Sequence, residues 1–396
     1  MAIDAPCSTV QLIGHMKPST TKDNRGKDNS SWRERWIATR NRVLADPGFQ
    51  RFAARFFLTR PIVRSKARAM FNLVAGFTYS QIIAACIEVK LLDLLADGAR
   101  DLNDIAGHIA MPGEAADRLL RAAASIGLVE RLGPERWALG GDGAALRGNR
   151  GIAEMVAHHR LLYADLADPV ALLRRGAGGG QLSNYWTYAE SAGQGEGHEV
   201  AAYSGLMAAS QPLIATHVID SYDFTRHRQM LDVGGGQGAF IAAVAARVPA
   251  IALGLFDLPA VGERARTALD AAGYGPRVTI HGGNFLEDAL PGGHDLITLI
   301  RVLHDHDDAP AMQLLRNIRA ALPPVGRLLI AEPMAETRGA EAAGDGYFGM
   351  YLWAMGSGRP RSMKEIASML RTAGFSTTKP VRTPLPLTVS AIVAEA

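Results

Sequence analysis

The sequence predicts an α/β fold in which a mainly helical part precedes a carboxyl-terminal domain with a doubly wound, parallel β-sheet. After residue 229, short apolar runs alternate with segments of helical period, which is the pattern of a parallel sheet covered by helices. The 396 residues also exceed what one hydrophobic core normally organises. We therefore expect a disordered tail over 1–30, a helical domain over 31–200 and the sheet domain over 201–396.

The composition indicates a globular protein of the cytoplasm. Residues 1–30 are rich in Ser, Thr, Lys, Asp and Asn without any period, so they are expected to be disordered. Their first residues, MAIDAPCSTV, lack the basic head and the apolar region of a secretory signal. No uninterrupted apolar run approaches the roughly 18 residues of a membrane-spanning helix. With only Cys7 and Cys86, neither a disulfide framework nor a zinc site is expected, and we predict no metal.

Residues 32–70, here called the basic arm, concentrate positive charge. They hold ten Arg and Lys residues against two acids, Glu34 and Asp46, which gives +8 out of a total net charge of +3. This pattern suits an anionic membrane surface into which aromatic side chains insert, and it suits equally a helical arm packed on a partner subunit. The interleaved aromatic residues are Trp32, Trp36, Phe49, Phe52, Phe56 and Phe57.

The next segments predict a winged helix. Residues 71–98 have the period of one long helix that ends at Gly98. Residues 101–140 then predict two short helices, a third helix ending at Gly127, and two short strands. This order of elements is that of a winged-helix domain.

Winged helices can bind DNA, but the composition of this one argues against it. The helix in the place of the recognition helix, 114–125, carries only Arg118 and Arg121, together with two acids, among alanine and leucine. We expect no nucleic-acid partner. Further along, 151–222 is mainly helical and includes His159 and Tyr163, which on an apolar helix are commonly hydrogen-bonded core residues.

The sheet domain is predicted as five strands separated by four helices, with a closing strand at the SAIVAEA terminus. A ligand is expected at the carboxyl ends of the strands. The predicted strands are 230–233, 251–256, 278–281, 295–303 and 327–331, and the predicted helices are 239–247, 260–272, 309–322 and 362–373.

A glycine-rich turn follows the first of these strands in MLDVGGGQGAF. Gly234 and Gly236 permit positive φ and close approach of a ligand, while the next helix offers free N–H groups. Asp257, 25 residues after Asp232, ends the second strand, where an acid can accept hydrogen bonds from ribose hydroxyls. Because Ala239 completes a G-x-G-x-x-A pattern, a dehydrogenase and an enzyme with a methyl donor both fit this motif.

Several ordered motifs narrow the choice. FDLPAV, HGGNFLED and RVLHDHDD, at three successive strand ends, resemble the class I S-adenosylmethionine (SAM)-dependent O-methyltransferases of the plant caffeate type. The resemblance runs from residue 71 to the carboxyl terminus. It implies a Rossmann-like catalytic domain, SAM as cofactor, and a winged-helix domain that serves dimerisation, so a homodimer is expected.

A narrower resemblance suggests the substrate. MVAHHRLLYADLADP, MLDVGGGQGAF and GDGYFGMYLWAMGSGRPRS are similar to purple-bacterial hydroxyneurosporene (demethylspheroidene) O-methyltransferases. The resemblance implies methylation of the tertiary C-1 hydroxyl of acyclic carotenoids in spheroidene and spirilloxanthin synthesis, with possible placement at the photosynthetic membrane. A C-methyltransferase of bacteriochlorophyll synthesis and a non-enzymatic, ligand-responsive winged-helix regulator stay open as alternatives.

The resemblance also implies the cofactor residues by position. Asn284 and Phe285 fall where the wider family usually has Asp-Met beside the adenine, and the Phe285 ring offers a stacking face. The implied cofactor-binding residues are Asp232, Gly234, Gly236, Asp257, Leu258, Asn284, Phe285 and Arg301.

The catalytic residues follow in the same way. His304 occupies the family's general-base position, with Asp305 beside it and Glu332 matching one of two acids that hold the histidine. The second acid falls on Pro360, which leaves open a mechanism dominated by proximity, with His304 merely capping the next helix. The predicted substrate-binding residues, whose types and spacing are more often those of an apolar core, are His159, Tyr163, Tyr347, Met350 and Tyr351.

Overall fold

The computed structural model describes residues 31–185 and 211–396, so the predicted tail and the predicted boundary at residue 200 lie outside the described part. By internal contacts the chain divides into a unit that ends at Gly76 and a second that begins at Phe77. The first unit holds α1 (Trp32–Ala45), α2 (Pro47–Arg55) and the beginning of α3 (Arg60–Glu88).

Both acids of the basic arm are used to start helices. Ser31 and Glu34 form a capping box at α1, in which the Glu34 carboxylate accepts the Ser31 N–H at 2.6 Å. Asp46 accepts the Phe49 N–H at 2.6 Å and caps α2, whose first residue is Pro47. Both acids of the arm therefore accept backbone N–H groups at the starts of its helices.

The 29-residue helix α3 is, among the described helices, the one long and apolar enough to cross a membrane by length and composition. The sequence predicted no such helix because uncharged polar residues interrupt its apolar run. Helices of water-soluble proteins pass the same criterion. Length and composition therefore do not establish a membrane span here.

The winged helix is confirmed with two changes. Lys90 adopts a left-handed φ of 54° and ends the predicted 71–98 helix early, so α4 (Leu91–Ala96) is separate. Between residues 101 and 127 there are two helices rather than three, α5 (Leu102–His108) and α6 (Gly113–Ser125). Strands β1 (Arg100–Asp101), β2 (Val129–Arg131) and β3 (Arg136–Leu139) form an antiparallel sheet in the order β1-β3-β2.

Three further helices precede the sheet domain, namely α7 (Gly141–Arg147), α8 (Arg150–Asp165) and α9 (Pro169–Arg175), and residues 211–221 are also helical. Asp168 caps α9 by accepting the Ala171 N–H at 2.9 Å. Buried leucines of this region pack with Tyr351 and Leu352 in one apolar cluster.

The large sheet has seven strands in the order β6-β5-β4-β7-β8-β10-β9. The five predicted strands are confirmed as its parallel part: β4 (Gln229–Val233), β5 (Ala252–Asp257), β6 (Val278–Gly282), β7 (Leu296–Ile300) and β8 (Arg327–Glu332). The sheet is antiparallel at one edge. The closing strand β10 (Ser390–Glu395) is antiparallel to β8 and to β9 (Thr377–Val381), a strand that was not predicted, because β9 and β10 are joined without a crossover helix.

The predicted helices of this domain are confirmed within one residue at each end, as α10 (Ala239–Arg247), α11 (Pro259–Ala271), α12 (Asp308–Ala321) and, after α13, α14 (Met363–Thr372). A π-helical segment (Ala342–Phe348) that runs into α13 (Gly349–Met355) was not predicted as an element. Buried apolar clusters cover both faces of the sheet. The carboxyl ends of β4 to β8 therefore form one open edge, where a ligand can bind.

Candidate active site

The glycine turn after β4 forms a cradle at this edge. Gly234 and Gly236 have φ values of 68° and 57°, which L side chains rarely adopt. A Cβ on Gly234 would lie 2.9 Å from a Val302 methyl group, whereas a Cβ on Gly236 would meet nothing within 4 Å. Gly234 is thus needed for packing, and the backbone at Gly236 faces the space that a ligand would enter.

Asp257, at the end of β5, is bonded to this cradle. Its carboxylate oxygens accept the N–H of Gly236 at 2.8 Å and that of Leu258 at 2.7 Å. Burial raises the pKa of Asp257 to about 6. Since each oxygen has a second lone pair, the carboxylate can hold the turn and still accept hydrogen bonds from a vicinal diol.

Asp232 lies beneath the turn, where its side chain is 1 % exposed. Thr298 on β7 donates to its carboxylate at 2.6 Å, and burial raises the pKa of Asp232 to about 7. A Cβ on Gly235 would lie 2.8 Å from this carboxylate. The structure therefore assigns Asp232 to the support of the cradle.

The other predicted cofactor residues lie at the neighbouring strand ends. Leu258 is 41 % exposed at the end of β5. The side-chain oxygen of Asn284 accepts the Leu286 N–H at 3.0 Å, which occupies it in the local turn. The Phe285 ring is half-buried and packs edge-to-face on His306, with centroids 5.4 Å apart. Arg301 follows β7 with a strained left-handed φ of 59°.

His304 lies in a single 3₁₀ turn (Leu303–Asp305) after β7 and is 2 % exposed. Its Nε2 is 3.3 Å from Asp305 Oδ1. Burial, and then the charges of Arg301 and Arg361, hold the pKa of His304 well below its ordinary value. The imidazole is therefore neutral at pH 7, as a proton acceptor must be.

Glu332, at the end of β8, lies beside His304 but contacts its backbone. Its Oε2 accepts the His304 N–H at 3.0 Å, whereas Glu332 Oε1 and His304 Nδ1 are both buried without a hydrogen-bond partner among the described residues. Burial raises the pKa of Glu332 to about 8, so the carboxyl is protonated at pH 7. Glu332 therefore holds the backbone of the His304 turn and makes no hydrogen bond to the imidazole ring.

The predicted substrate residues come together in one mainly aromatic group. His159 on α8 is 2.7 Å from the Tyr347 hydroxyl, and its ring packs edge-to-face on Tyr163. Tyr347 stacks on Tyr351, with centroids 5.9 Å apart. Met350 packs against the buried cluster that includes Tyr351.

Two contacts in this region were missed by the sequence analysis. His158, beside His159, is 2.8 Å from the Tyr351 hydroxyl, so adjacent histidines pair with tyrosines four residues apart. Phe348 packs on Tyr347 at 4.9 Å and on His304 at 5.7 Å. The π-helical segment thus connects the histidine of the strand edge to the aromatic group, and π-helical turns often occur at functional sites.

Family models match most of this architecture. An O-methyltransferase dimerisation domain matches residues 71–141, and an O-methyltransferase domain matches residues 163–376. Demethylspheroidene O-methyltransferase of Cereibacter sphaeroides is 40 % identical over 89 % of this chain and 93 % of its own. The Rhodobacter capsulatus protein of the same name is 39 % identical over 85 % and 84 %.

Solved structures agree with these matches. PigF with SAH superposes with a TM-score of 0.67, 25 % identity, and 83 % and 99 % coverage of the two chains. Human N-acetylserotonin methyltransferase in complex with SAM, at 22 % identity, has a TM-score of 0.70 over 83 % and 97 %. The dehydrogenase, the bacteriochlorophyll enzyme and the regulator are not favoured by any of these relatives. The chain belongs to the class I SAM-dependent O-methyltransferases, with SAM as cofactor and the family's dimerisation domain.

Proposed function

We propose that this enzyme methylates the tertiary hydroxyl of an acyclic carotenoid such as demethylspheroidene. The observation that carries the proposal is the 40 % identity, over 89 % of the chain, to a relative named for that substrate. The apolar and aromatic surroundings of Tyr347 and Tyr351 support it, since a polyene needs a long apolar binding site.

The residues present fit the cofactor. The open backbone at Gly236 leaves room for the ligand, the Asp257 carboxylate can accept from both ribose hydroxyls, and Leu258 and Phe285 offer apolar faces for the adenine. When bound, SAM supplies an electrophilic methyl group on a sulfonium. Arg301, which follows β7, is the last of the predicted cofactor-binding residues.

We further propose that His304 is the general base. A sulfonium donor would supply a leaving group that departs as a neutral thioether, so the protein would need no acid catalyst, and the difficulty is the weakly nucleophilic alcohol. A tertiary alcohol is too weak an acid to lose its proton beforehand. With SAM bound, the neutral imidazole of His304 would take the hydroxyl proton as the oxygen accepts the methyl group, so that the products would be a methyl ether, S-adenosylhomocysteine and imidazolium. Asp305, 3.3 Å from His304 Nε2, is placed to stabilise that imidazolium.

Acceptor assays with the full chain test the proposed substrate. We expect SAM-dependent formation of the methyl ether from demethylspheroidene in detergent, and no transfer to a bacteriochlorophyllide. The phenolic control acceptor is O-demethylpuromycin, the compound for which a relative with 31 % identity is named. Turnover of the phenol with none of the carotenoid would reject the carotenoid assignment while leaving O-methyl transfer intact.

The basic arm is proposed to bind an anionic phospholipid membrane from the cytoplasmic side. None of its ten cations forms an ion pair with a described residue, since its two acids cap helices. The family models begin at residue 71 and leave the arm out. The arm lies outside the matched dimerisation domain, and its net charge of +8 complements anionic headgroups.

Helix α2 has the chemistry for this contact. Arg51 and Arg55 are one turn apart, and Phe52 and Phe56 beside them stack at 5.5 Å. These four side chains line one surface depression, and Phe52 is 59 % exposed. Guanidinium groups can bind lipid phosphates while the neighbouring rings enter the acyl boundary.

Vesicle sedimentation tests the membrane contact. We expect the protein to bind phosphatidylglycerol-containing vesicles, and the Arg51→Gln/Arg55→Gln variant to bind them about thirtyfold more weakly, at about 1 kcal/mol per arginine. Arg118→Gln/Arg121→Gln removes two cations that are already ion-paired on α6, and should leave binding unchanged. If the protein does not bind the vesicles, the membrane contact is wrong. If the Arg51→Gln/Arg55→Gln variant changes its oligomeric state, the arm packs on a partner subunit.

A further inference from the structure

Residues 356–362, which connect α13 to α14, pack directly on the turn that carries His304. Gly358 has a φ of 78°, and a Cβ there would lie 2.1 Å from the His304 carbonyl oxygen. The Ser357 hydroxyl donates to the Asp305 carbonyl at 2.9 Å, and the Gly358 N–H donates to Asp307 at 3.0 Å. The two segments are therefore in backbone contact, with no room for a side chain between them.

Arg361 in this segment is fully buried, and its guanidinium spans the same turn. It donates to the Leu303 carbonyl at 2.9 Å and to the His306 carbonyl at 2.7 Å, on either side of His304. Its Nε and Nη2 also donate to one carboxylate oxygen of Asp308, at 3.0 and 2.8 Å. One planar group thus fixes the start and the end of the turn.

The burial of this charge calls for an explanation other than stability. Taking a guanidinium out of water is costly, and its one acidic partner, Asp308, is 61 % exposed. Arg359, two residues earlier, bonds the same Asp308 while remaining 43 % exposed. An ion pair with Asp308 therefore does not require burial, whereas the two carbonyl contacts do.

We propose that Arg361 is a positioning residue for methyl transfer, holding the His304 turn through the carbonyl groups of Leu303 and His306. This inference rests on the proposed role of His304 as base. Arginine suits the task because its fork of donors reaches two carbonyls and a carboxylate in one plane, which a lysine ammonium cannot do. These backbone contacts therefore set the position of the turn that carries the imidazole.

Arg361→Lys and Arg361→Gln, compared with Arg359→Gln, test the proposal. For both Arg361 variants we expect kcat to fall about thirtyfold, with the KM for the acceptor and the affinity for SAM within threefold of wild type. Arg359→Gln loses a surface bond to the same Asp308 and should keep its kcat within twofold. A purely structural role would instead lower SAM affinity and thermal stability and raise the KM for the acceptor together.

The pH dependence of kcat distinguishes the effect of Arg361 on the position of His304 from the effect of its positive charge. Arg361→Lys keeps the positive charge and should keep the wild-type acid limb, while Arg361→Gln should move that limb to higher pH. The other titratable and charged groups that face His304, namely Arg301, Asp305, His306 and Glu332, are present in both variants. An Arg361→Lys enzyme with kcat within threefold of wild type would overturn the proposal.

Gly358→Ala keeps the proposal testable if the Arg361 variants do not fold. Its Cβ pushes on the His304 carbonyl while Arg361 stays in place, so kcat should fall with KM unchanged. If Gly358→Ala has the kcat of the wild type, the position of the His304 turn does not limit catalysis and the proposal is wrong. His304→Ala checks the base separately: if that variant stays active, the proposed base is wrong whatever the Arg361 result.

Discussion

His304→Ala is expected to lower kcat at least about a hundredfold while the affinity for SAM stays within threefold. The alanine removes the proton acceptor but keeps the backbone N–H that Glu332 holds. Initial rates at saturating SAM, with cofactor binding by calorimetry, measure both effects. His217→Asn, which changes a histidine bonded to Thr388 elsewhere in the fold, is the matched control. A loss below threefold with cofactor binding intact would rule out general-base catalysis by this residue.

The pH dependence of kcat follows from the same site. Because the pKa of His304 lies below its ordinary 6.5, the imidazole is neutral at pH 7, and kcat should stay constant down to about pH 6.5 and fall only at lower pH. Glu332, with a pKa raised to about 8, ionises on the alkaline side, so any alkaline limb should disappear in Glu332→Gln. An acid limb centred above pH 7 would contradict this assignment.

Asp257→Ala is expected to raise the dissociation constant for SAM about a hundredfold. The change removes the acceptor for the ribose hydroxyls and also the two bonds that hold Gly236 and Leu258, and hydrogen bonds to a charged group contribute about 1.5–3 kcal/mol each. Calorimetric titration with SAM and with S-adenosylhomocysteine measures the loss. Both ligands should be affected alike, because the methyl group lies away from the ribose.

Asp223→Ala provides the comparison for this variant. Asp223 also accepts a backbone N–H, from Thr225 at 3.1 Å, but lies in the turn that precedes β4. Its removal should leave cofactor affinity unchanged. If Asp257→Ala binds SAM within fivefold of wild type, the carboxylate serves the turn alone and another group holds the ribose.

The cofactor edge of the sheet was predictable from sequence because the parallel strands bring their carboxyl ends to one edge. Knowing that Gly236 follows one strand and Asp257 the next was sufficient to place them together. The role of Asp232 was not predictable in this way. Only the fold shows that its side chain lies under the turn, bonded to Thr298, rather than on the ligand side.

Other differences between the sequence predictions and the structure have local or topological causes. The long helix ends at Lys90 because a non-glycine residue adopts a left-handed conformation, for which the sequence carries no signal. The antiparallel placement of β10 reflects the absence of a helix between β9 and β10, and β9 itself, TTKPV, lacks the apolar pattern of a buried strand.

The sequence by itself determined the family, the cofactor edge and the histidine at its fourth strand end, because residues next to each other along strands and turns set these features. The tertiary structure decided which atoms meet across long separations. Glu332 contacts the backbone of His304 rather than its ring, Arg361 spans the turn from 58 residues away, and Phe348 joins that turn to the His159 and Tyr347 pair. Such contacts depend on the packing of whole segments, which no local pattern encodes.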